Sequence, residues 1–315
     1  MKVLVTGATG FLGSHLAKRL VKEGHEVFCP VRREKKIEGC KTFLEDYKSI
    51  PFENFNESID VFFNCIGHIS DHLSTKDLWE TNVTLQGKLI EAAKKLGAKR
   101  FVHISSVSAV GLNGKDSPIK EDDDLGTGLG YGDTKRAGEE VVLGLGKKLG
   151  IEVVVLRPTL IYGEMKDGAM DKIYKVLKTP LRMIGTGNQI WHMVHVEDVV
   201  DACLLAASKK DVEFQVFNIV GPDPITANKV VEIACKTLSL KNKGLRVPTS
   251  LAFAIASACQ TFWGKKKPPF SKFTCKLLCL SHEYDQTKAR EQLGFNPKRS
   301  FAQEVSSLFS TPRGH

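Results

Sequence analysis

The sequence holds eight cysteines but no C-x-x-C pair. Scattered thiols supply neither a disulfide framework nor a paired metal motif. Cys275 and Cys279 are four apart, yet no second His or Cys pair completes a site. Reduced thiols in a cytoplasmic protein are therefore expected. No apolar run reaches membrane-spanning length. No secretory leader is expected either, because the first residues already read as a core strand. Internal repeats and low-complexity stretches are missing. Tight basic runs are scarce: Lys265-Lys266-Lys267 stands alone, and the other basic residues read as spread out and not interleaved with aromatics. The net charge of +9 is accordingly assigned to attraction of an anionic cofactor and to a solvated surface, not to nucleic acid. With 315 residues, 42% of them hydrophobic and 26% charged, the chain suits one large globular domain or two modest ones without disulfides.

The strongest signal lies in residues 1–15. An apolar run over 2–5 reads as a buried strand, and Thr6-Gly7-Ala8-Thr9-Gly10-Phe11-Leu12-Gly13 follows at once. Phe11, Leu12, Leu16, Leu20 and Val21 then recur at helical spacing. The order is strand, glycine-rich turn, helix. In such a turn the first glycine permits the tight bend and the second lets backbone approach a pyrophosphate at the helix N-terminus. The third lets helix and strand pack closely. Gly7, Thr9, Gly10, Phe11, Leu12 and Gly13 are the candidate dinucleotide-binding residues.

The helix is expected over 11–22, with Gly24 as its stop, and a second strand over 25–31. That strand ends in Arg32 and Arg33. At this position an acidic residue accepts from the 2′-hydroxyl of NAD, whereas an arginine pairs the 2′-phosphate of NADP. Two arginines and no acid favour NADP, with NAD as the alternative; Arg32 is the candidate reader. A weak third strand over 41–45 leads to Asp46, near the expected adenine. Residues 60–67 read as a buried strand ending in Gly67, where backbone can pass close to the cofactor. A helix is expected over 78–96, with Trp79, Val83, Leu85, Leu89 and Ala92 available for packing, then a strand over 100–105. Alternating strands and helices imply a parallel, doubly wound sheet. The polar, acidic stretch 113–130 reads as a surface loop. Tyr131-Gly132-Asp133-Thr134-Lys135 opens a helix, and Tyr131 and Lys135, four apart, share one of its faces.

These pieces together resemble the extended short-chain dehydrogenases/reductases, the NAD-dependent epimerase/dehydratase group. The resemblance rests on Thr6 to Gly13, Ser106, Tyr131-x-x-x-Lys135 and Arg157-Pro158-Thr159-Leu160-Ile161-Tyr162-Gly163. Val194-His195-Val196-Glu197-Asp198-Val199 and Lys288-Ala289-x-x-x-x-Leu293-Gly294-Phe295-x-Pro297 extend it. The pieces run in family order over nearly the whole chain. The implied fold is α/β, a Rossmann-type doubly wound parallel sheet with a smaller C-terminal substrate-binding domain. Residues 1–164, with 190–220 returning, would form the dinucleotide-binding domain; 165–189 and 221–315 would cover the substrate.

The same resemblance implies the chemistry. Tyr131 is the expected general acid/base, with Lys135 lowering its pKa and holding the nicotinamide ribose. Ser106 would hydrogen-bond the substrate oxygen; Ser105 and Ser108 compete, but Ser106 lies five residues before Gly111, as the family segment requires. Pro158 would lie near the nicotinamide. His195 and Tyr162 are expected to be packing residues. Nucleotide-sugar enzymes of the group commonly carry Asn where this chain has Leu160. The pattern is closest to the 3β-hydroxysteroid dehydrogenase-like and dihydroflavonol-reductase-like branches. An NADP(H)-dependent alcohol/ketone oxidoreductase is therefore expected. A sugar-nucleotide epimerase or dehydratase is the alternative, and a non-catalytic nucleotide sensor the third reading. Relatives suggest a homodimer through the helix after Tyr131 and the long helix before it. The apolar stretch 251–262 is too short to span a bilayer. Core packing is its preferred role, with a substrate-facing surface or weak membrane-surface contact over 251–267 as the other.

Overall fold

The computed structural model describes every residue except 48, 50, 69–74, 113–116, 127–129, 165–175, 264–269 and 311–315. Its centre is a seven-stranded sheet in the order β11-β6-β5-β4-β1-β2-β3, all parallel. The strands are β1 (Lys2–Thr6), β2 (Glu26–Val31), β3 (Lys41–Leu44), β4 (Val61–Asn64), β5 (Arg100–Ile104), β6 (Glu152–Pro158) and β11 (Gln215–Ile219). The inner strands are apolar on both faces because helices cover both.

Side chains alternate across the strands, so each strand feeds two cores. Val3, Val5, Phe63 and Val102 face Leu16 and Leu20 of α1 (Phe11–Lys22) and Val199 and Cys203 of α5 (Val196–Ser208). Leu4, Phe62 and Phe101 face Leu89 and Ile90 of α3 (Leu85–Lys95) and Val142 of α4 (Tyr131–Leu149). Both clusters are almost fully excluded from solvent.

The expected helix over 78–96 is present as continuous helical backbone over 75–95, with a π turn inside it. A short α2 (Thr75–Trp79) is followed by a π-helical turn, Glu80–Thr84, before α3 begins. The wider turn brings Asn82 inward to 1% exposure, while Leu78 takes the packing position and leaves Trp79 42% exposed. Local π turns of this kind are frequent at functional sites.

Beyond β6 the chain builds smaller units. β7 (Leu160–Tyr162) pairs with β10 (Met193–His195), β8 (Leu181–Ile184) with β13 (Leu245–Val247), and β9 (Ile190–Trp191) with β12 (Ile225–Thr226). Strand β11 returns to the edge of the central sheet beside β6, and α5 lies against α1. Next come α6 (Ala227–Thr237), α7 (Thr249–Trp263), α8 (Lys272–Cys279) and α9 (Phe301–Ser310). Core packing of 251–262 holds for one face of α7 only. Ala252 and Ala256 are buried against Cys275 of α8, and Cys259 is buried too, whereas Leu251, Ile255 and Phe262 are exposed. The small residues make the close helix pair; the large apolar ones are left outside it. The run Lys265-Lys266-Lys267 lies outside the described residues.

Candidate active site

The parallel register puts the C-terminal ends of four strands along one edge. Thr6 is level with Asn64, Asn64 with His103, and Ile104 with Leu156. Strand order reverses beside β1, and in open α/β sheets ligands bind at such a switch point.

The turn after β1 has the geometry its glycines require. Gly7 has φ +68°, and the Gly10 amide donates to the Gly7 carbonyl at 2.8 Å. A Cβ at Gly13 would lie 2.3 Å from the Gly7 oxygen, so only glycine lets α1 start this close to the strand. Thr9 and Gly10 are exposed, and Phe11 is half-buried. Gly10 caps α1 with no side-chain acceptor, and no acidic residue occupies the first turn. The first amides of the helix thus face outward, suited to a pyrophosphate. Arg32, Arg33 and Asp46 are exposed near the ends of β2 and β3. Arg32 also acts electrostatically on the Tyr47 hydroxyl, which burial pushes upward.

Ser106 and Tyr131 meet. Tyr131 opens α4, buried, with the Ser106 hydroxyl near enough to act on its phenol. Burial pushes the phenol up to about 12, and the Ser106 contact only partly opposes this. Ser106 also caps a short turn, accepting from the Ser108 amide at 3.2 Å. Lys135 lies one turn along α4, buried, and its ammonium donates to the Ile104 carbonyl at 2.8 Å. Burial lowers its pKa to about 8, while Glu139 works in the opposite direction. Desolvation outweighs the opposing influence on the phenol, and the Lys135 ammonium meets the Ile104 carbonyl. Gly67 approaches Lys135, since a Cβ there would be 3.3 Å from Nζ.

Pro158 ends β6 at the same edge. Two buried hydroxyls there, Ser105 Oγ and Thr159 Oγ1, have no hydrogen-bond partner. The glycine turn, open at Thr9 and Gly10, and the uncapped start of α1 are what a pyrophosphate would satisfy, so the residues fit a nicotinamide cofactor. Gly7 to Gly13 would hold its pyrophosphate and Lys135 its ribose. When bound, it supplies the hydride.

Two further residues, Asn82 and Phe273, escape a motif-based reading, and Arg157 of the family segment has a role the motif did not show. Asn82 donates to the Thr134 hydroxyl at 3.0 Å and to the His68 carbonyl at 3.1 Å, and accepts from the His68 amide at 2.9 Å. It ties the segment after Gly67 to the helix of Tyr131 and Lys135. Its signal was the pair Asn82 and Gln86, polar residues four apart on an otherwise apolar helix face. Phe273, from α8, sets its ring edge-on to Tyr131 at 5.7 Å between centroids; nothing in its local sequence marks it. Arg157 makes a buried two-pronged bond to Glu139, with Nε–Oε1 2.9 Å and Nη2–Oε2 2.6 Å, and donates to the Glu121 carbonyl at 2.7 Å. This pair fixes α4 to the end of β6. His195 and Tyr162 are packing residues: the His195 ring accepts from the Glu197 amide at 3.2 Å and meets Tyr162 edge-on, and Tyr162 donates to the Arg299 carbonyl at 2.9 Å.

Fold and site together define a nicotinamide-dependent enzyme of the short-chain dehydrogenase/reductase type. More specifically, the chain belongs to the NAD dependent epimerase/dehydratase family, whose model matches residues 3–220. It is 31% identical over 234 residues to vestitone reductase of Medicago sativa, covering 64% of this chain and 71% of that protein. It is 25% identical to 3beta-hydroxysteroid-dehydrogenase/decarboxylase isoform 2 of Arabidopsis thaliana, over 93% of this chain and 59% of that one. Among solved structures it is similar to MoeE5 in complex with UDP-glucose and NAD, at TM-score 0.78 and 25% identity, covering 98% and 97% of the two chains.

Proposed function

We propose that the protein is an NADP(H)-dependent oxidoreductase that moves a hydride between nicotinamide and the carbinol or carbonyl carbon of an apolar substrate. The observation that carries this reading is the buried Tyr131, set edge-on to Phe273 with the Ser106 hydroxyl near its phenol. It offers two hydroxyls to one substrate oxygen and an aromatic wall to its carbon frame. Ser106 orients that oxygen; Tyr131 gives it a proton in reduction and takes one in oxidation. Lys135 holds the nicotinamide ribose. Arg32 pairs the 2′-phosphate, which an NAD-type acid would repel. Residues 165–189 and 221–315 form the substrate-binding domain. The protein works in the cytoplasm as a homodimer through α3 and α4, and a purely monomeric mass in light scattering would remove the dimer.

A second reading, a nucleotide-sugar epimerase or dehydratase, is favoured by the likeness to MoeE5 with UDP-glucose. Against it stands Leu160 in place of an amide side chain. The test is absorbance of the reduced cofactor across a panel of hydrophobic ketones and UDP-sugars. Stoichiometric consumption of NADPH with a ketone is expected. Conversion of a UDP-sugar with no net change in cofactor would replace the reductase by the epimerase.

A further inference from the structure

The cations are not spread as evenly as a residue-by-residue reading suggests. Between Glu232 and Glu283 lie fifty residues, 233–282, without a single Asp or Glu. They contain Lys236, Lys241, Lys243, Arg246, Lys265, Lys266, Lys267, Lys272 and Lys276, nine cations. Taking nine from the 45 Lys and Arg leaves 36, which matches the 36 Asp and Glu. The whole net charge of +9 therefore resides in this one segment.

The same segment carries the longest uncharged helix surface in the described residues. Helix α7 has no ionisable side chain other than Cys259. Its inner face packs through small residues, while Leu251 is 51% exposed, Ile255 43% and Phe262 82%. Positions 251, 255 and 262, with exposed Ala254 and Ala258, make one continuous stripe along the helix. Leu245, on the strand just before α7, is 64% exposed. A helix that is apolar all round is normally buried, and a stripe this long needs an occupant.

We propose that α7, with the acid-free segment around it, docks the protein on an anionic lipid surface. Exposed apolar side chains in a stretch of sequence rich in cations and without an acid have the chemistry of an interfacial helix. A nucleic acid would use the cations but leave Leu251, Ile255 and Phe262 in water. The helix lies in the interface and does not cross it, since no helix among the described residues is long and apolar enough to span. Lys265, Lys266 and Lys267 enter as sequence only. The docking does not depend on the reductase reading. If that reading holds, α8 joins the two: it packs on α7 and presents Phe273 to Tyr131, so a wall of the site rests on the docking helix.

The test is flotation of the full chain with vesicles of phosphatidylcholine alone and of phosphatidylcholine mixed with phosphatidylglycerol. Binding to the mixed vesicles at low salt, and little to the neutral ones, is expected; each cation near an anionic surface strengthens partition by about fivefold. Binding should fall steeply at about 0.5 M salt, where charges are screened beyond a few ångströms. Phe262→Glu, at a site too exposed to disturb folding, should lower partition by about tenfold or more, and Leu251→Glu should act likewise. No binding to anionic vesicles at low salt overturns the proposal, as does binding that Phe262→Glu leaves unchanged. A dimer that Phe262→Glu dissociates, with no vesicle binding, would assign the stripe to a second copy instead.

Discussion

Burial pushes the Tyr131 phenol up to about 12, so at neutral pH it holds its proton and is ready to act as an acid. Reduction of a ketone needs that form; oxidation of an alcohol needs the phenolate. Oxidation should therefore accelerate as pH rises, while reduction stays level until the phenol itself titrates. Steady-state rates in both directions across pH check the sign. Tyr131→Phe removes one oxygen and leaves the ring against Phe273, so fold and cofactor affinity should survive. Turnover should drop by about 10²–10⁴-fold. Lys135→Ala should weaken both turnover and cofactor binding, and Ser106→Ala mainly turnover. Near-normal turnover by Tyr131→Phe would exclude the mechanism. That Tyr131 and Lys135 share one face of α4 could be read from their spacing, whereas the choice of Ser106 followed from the resemblance to the family segment. The protonation state was legible in neither: it follows from how deeply α4 and α8 bury the phenol, which only the assembled fold decides.

Helices, not residues, hold the site edge in place, and α1 is held on its outer side by charge. Glu197 of α5 accepts from Arg19 at 2.6 Å and meets His15 at 2.7 Å, while Asp201 takes a second Arg19 nitrogen at 2.9 Å. The His15 contact first, and Arg19 after it, lower the Glu197 carboxyl from its ordinary 4.5 to about 2. A depressed folded-state pKa means stability that is fully present above 4.5 and is lost as pH falls through about 2. Glu197→Gln should lower the melting temperature at neutral pH and flatten its decline across that window. The loss at pH 7 should be on the order of 1–2 kcal/mol, given partial exposure and screening. An unchanged acid limb in thermal melts would show that the cluster does not clamp α1 to α5. Elements were legible where the apolar period is clean, as in β1, α1 and β5. The π turn at Glu80–Thr84 was not, because it inserts one residue without changing composition. It is stabilised by tertiary fit: a Cβ on Gly138 of α4 would come within 2.1 Å of the Asn82 carbonyl.

Across the whole molecule, the distribution of charge bears on how the cofactor is chosen. A net +9 suggested long-range attraction of an anionic dinucleotide, but the excess lies entirely in 233–282 and the rest of the chain is balanced. The glycine turn, α1 and the end of β2 belong to the balanced part. At physiological salt the screening length is about 8 Å, so selectivity must be local. Arg32 and Arg33 are then the cations available to the 2′-phosphate at the end of β2. Raising salt should weaken NADPH more than NADH, because only NADPH carries the phosphate those side chains would pair. Arg32→Asp should cut NADPH affinity by about tenfold or more, by losing a charged hydrogen bond and adding repulsion, and should cost NADH little. It should also bring the two salt slopes together. Titration of both cofactors into both proteins at two salt concentrations measures all of this. Equal losses for NADPH and NADH, or equal salt slopes in the unaltered protein, would take the 2′-phosphate away from Arg32 and return the cofactor to NAD.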